Sequence, residues 1–211
     1  MYSRFLLWLF KLSLILMPLV AIPSHAASTI LVFGDSLSAA YGLSSPERGW
    51  VSLLDSRLKA ERYPYQVVNA SISGETTAGG LSRLKQAIAQ HQPSILILEL
   101  GANDGLRGLP VDAMQQNLTK MLTLAKQNNL KVLLVGMRIP PNYGPQYTQA
   151  FHDSFTTLAK QFKVSLVPFL LENVAGKPDL NQDDGLHPTA DAQPIILNTI
   201  WATLQTLLKK K

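Results

Sequence analysis

Four short blocks hold the residues that can do chemistry. Ser36 lies in Gly34-Asp35-Ser36-Leu37-Ser38, directly after an apolar run. A tight turn at Gly34 presents its hydroxyl at the end of that run, where backbone N–H groups can face a developing negative charge. Asp184 and His187 stand three apart in Asp183-Asp184-Gly185-Leu186-His187-Pro188. Within a single turn the carboxylate can hold the imidazole tautomer while the other ring nitrogen faces a serine. Gly74, in Asn69-Ala70-Ser71-Ile72-Ser73-Gly74-Glu75-Thr76, can bring a bare backbone N–H close to a ligand. Asn103, in Gly101-Ala102-Asn103-Asp104, offers an amide donor to an oxyanion. Singly, each block has an ordinary reading as a turn or a cap. His91 and His152 fit such ordinary roles, at a helix end and on a helix face. Together the blocks supply a nucleophile, a base, an orienter and several donors, which is the parts list for acyl transfer.

The elements between them follow one rhythm. Short apolar runs at Thr29 to Phe33, Tyr65 to Asn69, Ile95 to Leu100, Lys131 to Val135 and Val164 to Phe169 read as strands. The third is apolar except for Glu99. Stretches with helical spacing fill the gaps: Trp50 to Ala60, Gly79 to Gln90, Asp112 to Asn128 with Asp112 as cap, Tyr147 to Phe162, and Ala190 to Leu208. Near-continuous apolar strands separated by helices indicate a parallel sheet covered on both faces, a three-layer α/β domain. Sites in such sheets lie beyond the carboxyl ends of the strands, where all four blocks fall. No glycine-rich dinucleotide or phosphate loop follows any strand.

Composition narrows the classes further. The chain has 211 residues, one domain's worth with a leader. Arg4, the apolar run to Ile22 broken by Lys11, and Ser24-His25-Ala26 form the layout of a secretory signal peptide. Cleavage after Ala26 or Ala27 is expected, giving a leader over residues 1–26 and a domain over residues 27–211 in the periplasm or outside the cell. The rival reading of the leader is an uncleaved membrane anchor. Loss of Arg4 and Lys11 lowers the formal charge from +5 to +3. There is no cysteine, which removes disulfides, thiolate catalysis and thiolate metal sites. No basic stripe with interleaved aromatics supports nucleic-acid binding. The expectation is a monomer that needs no cofactor and no metal.

In this order and with these neighbours, the blocks resemble the GDSL (SGNH) hydrolase family, named for its Ser, Gly, Asn and His. Gly34-Asp35-Ser36-Leu37, Gly74, Gly101-x-Asn103-Asp104 and Asp184-x-x-His187 carry the match. Longer strings at 69–74, 103–108, 140–144 and 183–188 resemble its bacterial periplasmic thioesterase, arylesterase and lysophospholipase subgroup. The resemblance runs from about residue 29 to the end. It implies a flavodoxin-like, five-stranded parallel sheet of order 2-1-3-4-5. It implies Ser36 as nucleophile, His187 as base, Asp184 as orienter, and an oxyanion hole from the N–H groups of Ser36 and Gly74 with the Asn103 side chain. Ala40 and Ala102 stand where relatives carry Gly.

The substrate is expected to be a small-molecule acyl ester or thioester, including fatty acyl and aryl esters and lysophospholipids. Leu106, Leu109, Pro110, Ile139, Pro140, Pro141 and Tyr143 are candidates for an apolar acyl groove, or else they pack the loops. Two rivals are a carbohydrate O-deacetylase and a non-catalytic lipid-binding protein on the same fold.

Overall fold

The computed structural model describes residues 27–210, so the leader expected over residues 1–26 lies outside the described residues. Five parallel strands form one sheet in the order β2-β1-β3-β4-β5. They are β1 (Ser28–Gly34), β2 (Tyr65–Asn69), β3 (Ile95–Glu99), β4 (Lys131–Val135) and β5 (Ser165–Val167). The central pair reads as unbroken apolar sequence because both its faces are covered. Ile30 to Phe33 and Ile95 to Leu98 are all fully buried. The edge strand β2 is only half-buried.

Between the strands run α1 (Trp50–Ala60), α2 (Thr77–His91), a short α3 (Ala102–Leu106), α4 (Val111–Gln127), α5 (Pro145–Phe162) and α6 (Gln193–Leu204). Helices α1 and α6 pack together on one face, and α2, α4 and α5 lie in succession on the other. This is the three-layer α/β/α sandwich that the strand pattern implied, with the strand order expected.

Element ends depart from the sequence reading for local reasons. Helix α2 starts two residues early because the Thr76 side chain caps it, accepting from the Gly79 N–H at 3.4 Å. Helix α4 starts at Val111, so Asp112 is not its cap; the Pro110 carbonyl accepts from the Ala113 N–H instead. Asp112 sits in the first turn, where its charge suits the helix dipole. Pro145 occupies the first position of α5, a place that tolerates its missing N–H. Strand β5 stops at Val167 because Pro168 has no N–H to donate to a ladder. The last helix begins with a separate 3-10 turn over Ala190–Ala192 and ends at Leu204 rather than Leu208.

Candidate active site

Strand β1 ends in a turn held by buried carboxylates. The Asp35 carboxylate accepts from the Leu37 N–H at 3.0 Å, an Asx turn that holds Ser36 at its middle. Glu99, the last residue of β3, accepts from the Asp35 N–H at 3.2 Å and from the Ser38 hydroxyl at 2.7 Å. A Cβ on Gly34 would fall on the Glu99 carboxyl, so only glycine lets the two strand ends approach this closely. Burial pushes the Asp35 carboxyl up to about 6, against the pull of the Leu37 N–H and the Asn103 amide. Burial, reinforced by the neighbouring Asp35, holds Glu99 well above the ordinary range.

On the other side of the cleft, Asp184 accepts from the N–H groups of Leu186 at 2.8 Å and His187 at 2.9 Å. Its second oxygen lies 2.6 Å from His187 Nδ1. The backbone N–H of His187, then its ring, then the Leu186 N–H lower the Asp184 carboxyl to about 2. An ionised carboxylate only accepts, so Nδ1 carries a proton, and in the tautomer with that proton alone Nε2 is an acceptor. Ser36 Oγ lies 2.9 Å from that Nε2, across 151 residues of chain.

The loop carrying His187 is fastened to the segment that follows Ser36. The Gln182 side-chain amide donates to the Tyr41 carbonyl at 2.9 Å and to the Pro188 carbonyl at 3.0 Å. The Tyr41 ring packs against the imidazole with centroids 4.5 Å apart.

Gly74 follows β2 with a left-handed φ of +77°. Its carbonyl accepts from Arg107 at 2.9 Å. Among the described residues, the N–H groups of Ser36 and Gly74 donate to nothing. Asn103 sits within α3 rather than in a bare turn, and its Nδ2 donates to Asp35 at 3.1 Å. The next residue, Asp104, anchors that helix by accepting from the Thr77 N–H at 2.8 Å and hydroxyl at 2.6 Å. The structure therefore brings Ser36, Asp184, His187 and Asn103 together at the carboxyl edge, with Gly74 on the adjacent loop.

A cavity of about 620 Å³ opens beside Ser36 and His187. Leu106, Ile139, Pro140 and Pro141 line it, as the sequence suggested. Leu109, Pro110 and Tyr143 do not. Tyr143 turns its hydroxyl to the Leu106 carbonyl at 2.6 Å, and Leu109 faces solvent. Met137, Phe169 and Leu171 line the cavity without having been singled out. Glu99 was visible beforehand as the lone charge in an apolar strand; Tyr41 and Gln182 had no local signal.

Residues 32–194 match the GDSL-like Lipase/Acylhydrolase family. The chain belongs to that family. As a GDSL hydrolase it is 51% identical over 183 residues to Esterase TesA of Pseudomonas aeruginosa, covering 87% of this chain and 90% of the relative. It is 44% identical over 190 residues to Thioesterase 1/protease 1/lysophospholipase L1 of Escherichia coli K12, covering 90% and 89%. The psychrotrophic esterase EstA from Pseudoalteromonas sp., solved with monoethylphosphonate as inhibitor, superposes with a TM-score of 0.81 at 45% identity, over 85% of this chain and 98% of that one. With this membership goes serine hydrolase activity on carboxylic esters. No helix among the described residues is long and apolar enough to cross a membrane.

Proposed function

We propose that Ser36 is the nucleophile of a ping-pong acyl transfer that hydrolyses fatty acyl and aryl esters, lysophospholipids and acyl thioesters. The observation that carries this reading is the chain of contacts from Ser36 Oγ through His187 to Asp184, at 2.9 and 2.6 Å. His187 Nε2 takes the hydroxyl proton as Oγ bonds to the carbonyl carbon and the carbonyl electrons move onto oxygen. That oxyanion accepts from the Ser36 and Gly74 N–H groups and from Asn103 Nδ2. Collapse expels the alcohol or thiol, which leaves with the proton from His187. Water, deprotonated by the same ring, then releases the acid and restores Ser36. Each hole donor contributes roughly 3 to 4 kcal/mol to such a transition state. The reaction uses no cofactor or metal.

Two features support an acyl-chain substrate. The cavity wall is built from Leu106, Met137, Ile139, Phe169 and Leu171, which suit a hydrocarbon chain rather than a sugar. The large exposed apolar side chains Tyr41, Ile72, Leu109 and Leu186 all stand on the loops around this edge of the sheet. The relatives' names, esterase and thioesterase/lysophospholipase, point the same way.

The test is hydrolysis of p-nitrophenyl esters from acetate to palmitate by the mature protein and by Ser36→Ala. Activity on medium or long chains that falls at least about 10³-fold in the variant is expected. Activity confined to acetate would replace this reading with the deacetylase. Activity that survives in Ser36→Ala would remove the nucleophile assignment. EDTA is expected to leave the rate unchanged. Export as a monomer completes the proposal. Mass measurement of the exported protein, starting at Ala27 or Ser28, and its elution volume check both parts.

A further inference from the structure

Asp35 lies between the nucleophile and Asn103, is fully buried, and has no part in the proton transfers above. Its two oxygens are used differently. One accepts from the Leu37 N–H at 3.0 Å and the other from Asn103 Nδ2 at 3.1 Å. A side-chain amide nitrogen carries two N–H bonds. One is spent on Asp35; the other meets no acceptor among the described residues. Asn103 lines the same cavity as Ser36 and His187, so this second N–H is the one available to a group reacting at Ser36.

An asparagine amide turned over about its last torsion would put its oxygen where the nitrogen stands. Facing an oxyanion, that oxygen would repel rather than donate. An ionised carboxylate accepts only, so it selects the orientation with nitrogen toward it. We propose that Asp35 is a positioning residue of the oxyanion hole, whose carboxylate locks the Asn103 amide with its nitrogen turned to the reacting carbonyl. The proposal rests on Asn103 being a hole donor.

The lock is itself held in place. Glu99 grips the Asp35 N–H and the Ser38 hydroxyl, so the turn cannot rotate the carboxylate away. Asp104, which also faces Asp35, is held by Thr77. Among the groups that favour its ionised form, the Leu37 N–H and the Asn103 amide act more strongly than His187. With its carboxyl raised to about 6, Asp35 is ionised at pH 8.

The experiment is a double-mutant cycle at pH 8 on p-nitrophenyl octanoate, with Asp35→Asn, Asn103→Ala and the double variant. Asp35→Asn puts an amide where the carboxylate stood, so the Asn103 amide turns over. The expected loss for D35N is about 100-fold in kcat, of the size of one lost hole donor, with KM within about threefold. In the Asn103→Ala background the same change should cost less than about threefold, since nothing remains to be oriented. Losses that multiply across the cycle, an unchanged kcat in D35N, or an effect on KM alone would each overturn the proposal. If D35N does not fold by circular dichroism, Asp35→Ala enters the same cycle with the same expectation in the Asn103→Ala background. Full activity of Asn103→Ala alone would remove the donor assignment and the proposal with it. A loss there without one in D35N removes the proposal only.

Discussion

Asp184 does two jobs with one carboxylate. It closes its own turn through the Leu186 and His187 N–H groups and it holds the imidazole ring. Asp184→Asn should therefore keep the turn's acceptor but spoil the tautomer, lowering kcat by about 10³- to 10⁴-fold in steady-state assays. Its folded-state pKa, about 2, lies below the ordinary 3.8. A depressed carboxyl stabilises the fold above its ordinary pKa, and that contribution is lost as pH falls through about 4 to 2. The melting-temperature gap between parent and D184N should accordingly shrink between pH 7 and pH 2.5. Ala40 presents the opposite situation, since it stands in the left-handed region at φ +60°. Left-handed backbone costs a non-glycine residue roughly 1–2 kcal/mol, and glycine returns part of this as unfolded-chain entropy. Ala40→Gly should stabilise by about 0.5–1 kcal/mol in urea melts.

At the scale of elements, two junctions carry the site. The first is the approach of β1 to β3, where Gly34 leaves room for Glu99. Gly34→Ala forces these strand ends apart and should destabilise by about 1–3 kcal/mol, with loss of activity larger than the loss of folded protein. The second is the tether from Gln182 to the Tyr41 and Pro188 carbonyls, which sets how far His187 stands from Ser36. Because a displacement of about 1 Å can cost 10²-fold, Gln182→Ala should lower kcat by about 10- to 100-fold while the melting temperature moves by only a few degrees. Equal activity in that variant would show that the Asp184 turn holds His187 unaided.

For the whole molecule, the sandwich that builds the site also burdens it. The sheet edge encloses two carboxyls, Asp35 and Glu99, side by side beneath the Ser36 turn. A carboxyl whose folded pKa is raised binds its proton more tightly in the folded state, so it favours folding below its ordinary pKa. That contribution disappears as pH rises through the folded value. For Asp35 the window runs from 3.8 to about 6, a difference of about 3 kcal/mol at most. The chemical stability of the parent should fall across this window relative to Asp35→Asn, which has no proton to lose there. Urea melts of both proteins at pH 4 and pH 6.5 measure the difference. A parallel shift of the two would mean that Asp35 gains enough from Leu37 and Asn103 to cancel its burial.

The sequence by itself determined the parallel α/β architecture and the strands that bear the site. Apolar runs and helical spacing are chain-local signals, and β1 to β4 appear where they were read, within a residue at either end. It also determined the Asp184–His187 pair, because both partners lie within one turn and need no distant contact to meet. Tertiary structure decided the rest. Ser36 and His187 are 151 residues apart and Asp35 and Asn103 are 68 apart, so only the strand order brings them within hydrogen-bonding reach. The same holds for the cavity: Leu106 and Ile139 face it while Leu109 and Tyr143, close by in sequence, turn elsewhere. Which side of a loop faces a ligand depends on what the loop packs against, and that information is spread over the whole fold.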